Sequence, residues 1–153
     1  AVIGNHDHLG SGGEIYQSMY GDFNFSFVYS GIKFVGLNTN ALDFDYGTPV
    51  PDFEFIQREI ADTAGNNYCQ TVVFMHAEPG DVVFNNNVKV VFHEYLKRFR
   101  NLRFCVHAHE HRVMENEFFG DGIWYYGADA MKNRNYLLFT VTQQDYTYEV
   151  VYF

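Results

Sequence analysis

The stretch Leu102-Arg103-Phe104-Cys105-Val106-His107-Ala108-His109-Glu110-His111 decides how this chain is read. Its first half is a short apolar strand, and its second half packs three imidazoles into five residues. Two distant segments share the design: Ile3-Gly4-Asn5-His6-Asp7 and Val72-Val73-Phe74-Met75-His76. Each runs from a buried apolar strand straight into polar, metal-capable side chains. Strands of one sheet end side by side, so such residues can converge on one point. Neutral imidazoles with an Asn amide oxygen form a borderline N/O donor set, suited to Zn, Mn or Fe rather than Ca.

Outward from these segments, the chain alternates helices and strands and then turns to strands alone. Ala1 to Ile3 reads as the tail of a buried strand, and the Gly- and Ser-rich stretch His8 to Glu14 as a loop. Phe23, Phe25 and Phe27 alternate with other residues, the period of a strand with one buried face. Ser30-Gly31 marks a hairpin turn into a strand over Lys33–Leu37. Residues 40–50 lack periodicity and are broken by Gly47 and Pro49.

Asp52 caps a helix carrying Phe53, Ile56 and Ile60, which is expected to end near Gly65. Thr71–Met75 is a strand. Asn87 is expected to cap a second helix with the apolar stripe Val88, Val91, Phe92, Tyr95, Leu96 and Phe99. His93 falls off that stripe and, like His8, is read as a surface residue. Beyond Arg112, segments around Ile123–Tyr126, Tyr136–Val141 and Tyr146–Tyr152 read as antiparallel strands. The fold class is therefore α/β, a single domain over residues 1–153 with no internal repeat or linker.

Composition narrows the function classes. The chain has 153 residues, 47% of them hydrophobic, with 16 Phe and 12 Tyr, so it can bury a core and is not expected to be disordered. No apolar run reaches about 18 residues, so no membrane span is expected. No signal peptide is visible, and the start at Ala1 without Met leaves room for a targeting segment upstream. The net charge is −9 with Lys and Arg scattered, which disfavours nucleic-acid binding. An acidic enzyme still accepts phosphate esters where bound cations dominate the local field. Cys69 and Cys105 have no CxxC spacing and read as two buried free thiols.

Each polar segment also has an ordinary reading. Asn5 and Asp7 can make turn hydrogen bonds, and His76 can be a hydrogen-bonded core histidine held by a rigid Pro79 loop. The cluster at 107–111 carries most weight. In an extended strand, His107, His109 and His111 would share one face, where each ring needs a partner and a metal supplies it.

The run Gly4-Asn5-His6-Asp7, the strand ending in His76, and Ala108-His109-Glu110-His111-Arg112 together resemble the calcineurin-like metallophosphoesterase family. The likeness spans essentially the whole chain. It implies a four-layer α/β/β/α sandwich of mixed sheets with antiparallel C-terminal strands. It also implies a site for two divalent ions (Mn, Fe or Zn), about 3.5–4 Å apart, and hydrolysis of a phosphate mono- or diester through a bridging hydroxide. By position, Asn5, His76 and His109 would bind the second metal and His111 the first. His6, oriented by Asp7, would face the leaving group or a phosphoryl oxygen, and His107 would stand behind the ligands. Ala108 replaces the family's usual Gly.

The family's opening Asp-x-His and Gly-Asp segments, which supply the remaining first-metal ligands and the bridging carboxylate, come before the Gly-Asn-His motif, and the sequence starts just upstream of that motif. The resemblance thus implies a domain incomplete at its N-terminus, partnered by a missing N-terminal segment of the same protein and by a small phosphate ester. A second reading is a catalytically degenerate metal-binding or structural domain holding one ion through Asn5, His76 and His109. A third is a single-zinc hydrolase built on His107, His109 and His111. Phe84, Tyr125 and Tyr126 are either pocket walls or core, with core favoured. Substrate identity, oligomeric state and compartment are left open by the sequence.

Overall fold

The structure, a computed structural model, describes residues 1–41, 49–62 and 68–153. The break expected at Gly47 and the helix end expected near Gly65 lie outside the described residues. The described chain is mixed α/β. Its strands are β1 (Phe25–Tyr29), β2 (Ile32–Leu37), β3 (Gln70–Met75), β4 (Leu102–His107), β5 (Met114–Asn116), β6 (Tyr125–Gly127), β7 (Asn135–Val141) and β8 (Tyr146–Tyr152). Its α-helices are α1 (Gly12–Tyr20), α2 (Phe53–Ala61) and α3 (Lys89–Leu96).

Six strands form one mixed sheet in the order β1-β2-β3-β4-β6-β5. The β2-β3, β3-β4 and β4-β6 pairs are parallel, and antiparallel β1 and β5 close the edges. β7 and β8 form a separate antiparallel pair. Period-two alternation divides the core between the sheet's faces. Val73, Met75, Cys105 and Tyr125 pack against Phe55, Ile56, Phe92, Leu96 and Phe99 of the helical side. Val72, Phe104 and Tyr126 meet Leu137, Phe139, Val141, Tyr146 and Tyr148 of the β7-β8 pair. Phe84, Tyr125 and Tyr126 are all buried, as the core reading expected.

Local chemistry explains several elements. The Asp52 carboxylate accepts the Phe55 N–H at 2.9 Å, capping α2 as expected. Ser30 and Gly31, with φ of 50° and 78°, make the two-residue turn whose twist suits a hairpin. Lys33, fully buried on β2, is neutralised by Glu59 of α2 at 2.8 Å and also donates to the Glu59 carbonyl.

Other expectations are corrected. Ala1–Ile3 pairs with no strand, although Ile3 is fully buried. The expected loop His8–Glu14 runs into α1, because Tyr16 anchors that helix through Phe23 and the Ala1 carbonyl and outweighs the poor helix propensity of Gly12 and Gly13. Phe27 is half exposed and stacks on Phe34, whereas Phe23 and Phe25 are partly buried, so the aromatic face of β1 is only partly covered among the described residues. Asn87 does not cap α3, since the chain enters through a 3-10 turn at Asn86–Val88, and Val91 faces solvent.

Cys69 is exposed and only Cys105 is buried. β6 pairs antiparallel with β5 as expected but parallel with β4. His93 is buried, its ring stacked 3.8 Å from Phe119 and its nitrogens facing the Tyr125 hydroxyl at 2.8 Å and Asp121 at 2.9 Å. Those partners satisfy both nitrogens, which is how a polar side chain enters a core.

Candidate metal centre

Parallel strands deliver their carboxyl ends to one edge of the sheet, where α/β proteins place their ligands. β3 ends at Met75 and hands on His76, while β4 ends at His107 and hands on His109 and His111. β2 continues into the buried polar triplet Asn38-Thr39-Asn40. Thr39 Oγ1 donates to the Ala77 carbonyl and accepts the Ala77 N–H, at 2.8 and 3.1 Å. Asn40 Nδ2 donates to the Ile3 carbonyl at 2.9 Å. This frame ties the Ile3–Asn5 segment and the residue after His76 to one strand end. The triplet was not singled out from sequence; its signal is three polar residues following an apolar strand without a break.

Two donor atoms flank His76 Nε2 there. Asn5 Oδ1 lies 3.1 Å from His76 Nε2, and His76 Nε2 lies 3.2 Å from His109 Nδ1. The two rings stand at 78° with centroids 5.1 Å apart. Ligand atoms about 2.1 Å from a shared ion are themselves about 3.0–3.4 Å apart in octahedral or tetrahedral sites. The observed spacings fit that edge length. Burial first, and then the neighbouring His109, push the His76 ring down to about 4, against the opposing charge of Asp7. A neutral ring keeps the lone pair that a ligand needs.

Gly4, Asn5, His6, Asp7, His76, His109 and His111 line one cavity of about 300 Å3. Gly4 is favoured there by close packing, not by backbone angle, since its φ of −95° suits any residue. A Cβ on Gly4 would stand 3.1 Å from His76 Cε1. His6 is exposed on the rim. Asp7 turns its carboxylate back to the Gly4 N–H at 2.9 Å, closing the 3-10 turn Asn5–His8, so its hydrogen bond serves the turn and not His6.

The 107–111 segment does not remain extended. β4 stops at His107, and His109 and His111 take left-handed φ values of 59° and 52°, uncommon for a bulky residue and frequent at functional sites. The expected common face is therefore absent. His107 turns inward, fully buried, with Nδ1 at 2.9 Å from Glu78 Oε2, and takes no part in the cavity lining. His109 and His111 enter the cavity, with His111 exposed.

Behind His109 lies an acidic group that sequence reading did not identify. Glu78, Asp81 and Glu110 each bring an oxygen within 4.8 Å of the others, close enough to hold a cation. Each also faces a basic side chain of the His107–Arg112 segment: Glu78 faces His107, Asp81 faces His109 at 3.5 Å, and Glu110 faces Arg112 at 3.3 Å. Burial would raise the Glu78 carboxyl, but the bond from His107 holds it below the usual range. Asp81 is raised, by burial foremost. The sequence signal was the pair of acids in Glu78-Pro79-Gly80-Asp81, the loop directly after His76. Comparison of the sequence with known protein families and with curated proteins found no match.

Proposed function

We propose that this chain contributes one half of a dinuclear metallophosphoesterase centre and hydrolyses a phosphate mono- or diester as part of the intact protein. The observation that supports it is that Asn5 Oδ1 and His109 Nδ1 each lie within about 3.2 Å of His76 Nε2, with His111 opening onto the same cavity. This pattern resembles the calcineurin-like family, and with it goes the proposal of a four-layer sandwich completed by an N-terminal segment of the same protein. Two divalent ions, Mn, Fe or Zn, would supply Lewis-acid stabilisation of a phosphoryl group and an activated water. Asn5, His76 and His109 would hold one ion, and His111 would help to hold the other. His6, exposed on the rim, would meet a leaving-group oxygen as a hydrogen-bond donor. Asp7 fixes the turn that presents Asn5 and His6.

Assay of the intact protein with Mn²⁺ on an aryl phosphate monoester and on the corresponding diester tests the reading. Turnover of either, lost in His76→Ala, supports it; no turnover of either overturns it. One observation favours a second reading, a metal-binding module without catalysis. Among the described residues, the donors at one point suffice for a single ion, and His111 does not join His76 and His109 in a cluster within 4.8 Å. Metal analysis separates the two: two equivalents per chain for the enzyme, one for the module.

A further inference from the structure

His109 has two ring nitrogens, and only one can serve as a ligand to the ion that Asn5 and His76 would share. The nitrogen facing them is Nδ1, 3.2 Å from His76 Nε2. A neutral imidazole offers a lone pair on one nitrogen and carries a proton on the other. His109 is therefore a competent ligand only in the tautomer protonated at Nε2, the form a neutral histidine already favours, and an acceptor beside Nε2 holds the ring in that form and in one orientation. Asp81 is that acceptor. Its side chain is fully buried, and its Oδ1 lies 3.5 Å from His109 Nε2.

The remaining contacts of Asp81 hold its carboxylate in place. Oδ1 also accepts the Val83 N–H at 2.7 Å, which fixes the carboxylate within its own loop. Oδ2 is buried without a hydrogen-bond partner. A contact of 3.5 Å is longer than a hydrogen bond, but a shift of about 0.5 Å in either group closes it. The neighbouring pair, Glu78 and His107 at 2.9 Å, clamps the same loop to the base of the same histidine turn. Two buried carboxylates of one loop thus face two alternate histidines of one strand end, and the second of these, His109, stands in the left-handed region.

The structure assigns Asp81 the part of a positioning residue, a carboxylate that holds His109 in its Nε2-protonated tautomer and aims its Nδ1 at the site of Asn5 and His76. The assignment rests on the reading of those three residues as metal ligands. Outer carboxylates of this kind orient the ring and raise its basicity, and their loss typically weakens metal binding about 10–100-fold.

The test uses nitrogen-detected NMR of the histidine rings in the metal-free protein, together with Zn²⁺ titration. In the wild type, His109 is expected to carry its proton on Nε2; a proton on Nδ1 overturns the assignment without any variant. Asp81→Asn keeps an acceptor for Val83 but sets an uncharged amide toward His109. It is expected to raise the minor Nδ1–H fraction of a ring no longer held by the carboxylate and to weaken Zn²⁺ about 10–100-fold at unchanged stoichiometry, with Asp81→Glu restoring part of both. An unchanged tautomer and affinity overturns the assignment. So does loss of a full equivalent of Zn²⁺, which would make Asp81 a ligand in an ion site of its own with Glu78 and Glu110. If the wild type binds no Zn²⁺, the metal reading fails, and the tautomer comparison alone then decides the role of Asp81.

Discussion

The Oδ1 of Asn5 stands 3.1 Å from Nε2 of His76, a contact that spans 71 positions of sequence. It is made because Asn40, at the end of β2, holds the Ile3 carbonyl while Thr39 holds Ala77. Two polar side chains at one strand end thus bring the two site segments together.

Removing a ligand should therefore differ from removing its frame. His76→Ala or Asn5→Ala is expected to weaken binding of Mn²⁺ or Zn²⁺ by about 100-fold or more, beyond the loss seen for an outer residue, with little change in melting temperature. Isothermal titration beside thermal denaturation checks this, and equal affinity in all forms would exclude the site.

Gly4→Ala should act on the same site by crowding. The added methyl would press on the His76 ring at 3.1 Å, where the neighbour must give by a few tenths of an ångström. Metal affinity is expected to fall while the fold persists, as measured by titration and circular dichroism.

The buried pair Lys33 and Glu59 sets an acid limit to stability. Burial would raise the Glu59 carboxyl, but the hydrogen bonds from Lys33 and Ser26 and the Lys33 charge hold it below its ordinary value of 4.5. A carboxyl lowered in the folded state binds fewer protons there than in the unfolded chain. Its stabilisation is present above about pH 4.5 and is lost as pH falls through the folded value. Glu59→Gln should remove that acid slope and, by leaving Lys33 without its counter-charge, cost about 3–5 kcal/mol at neutral pH. Urea unfolding across pH 3–7 reads both effects.

His93 offers a contrast to the site histidines. It links α3 to Asp121 and Tyr125 and stacks on Phe119. His93→Ala is expected to cost about 2–4 kcal/mol through lost packing and unpaired buried partners, and to leave metal stoichiometry unchanged. Denaturant melts with metal analysis of the same sample would show it.

Gly36 pairs with Phe25 across β1 and β2, and the Phe25 ring lies over its α-carbon. A Cβ at Gly36 would stand 2.3 Å from that ring. Gly36→Ala should cost about 1–3 kcal/mol by overpacking, relieved in part by Phe25→Leu. Comparison of the melting temperatures of the single and double variants tests the pairing.

Much of this protein was legible in its residues. Apolar runs of strand length marked β2, β3 and β4, and Asp52 before Phe53 marked the start of α2, because burial and capping act over a few neighbours. The polar residues that end β3 and β4 marked His76 and His109 for the same reason. What failed were inferences about which side of a surface a residue meets. His93 is polar and off the helix stripe, yet tertiary partners carry it inside. The cluster His107, His109 and His111 promised one shared face, but the strand stops after its first member and the next two turn left-handed. Sequence determined which residue types the strand ends carry. Only the tertiary structure decided that Asn5, His76 and His109 meet while His107 turns away to Glu78, because those contacts depend on strand order and on hydrogen bonds between residues dozens of positions apart.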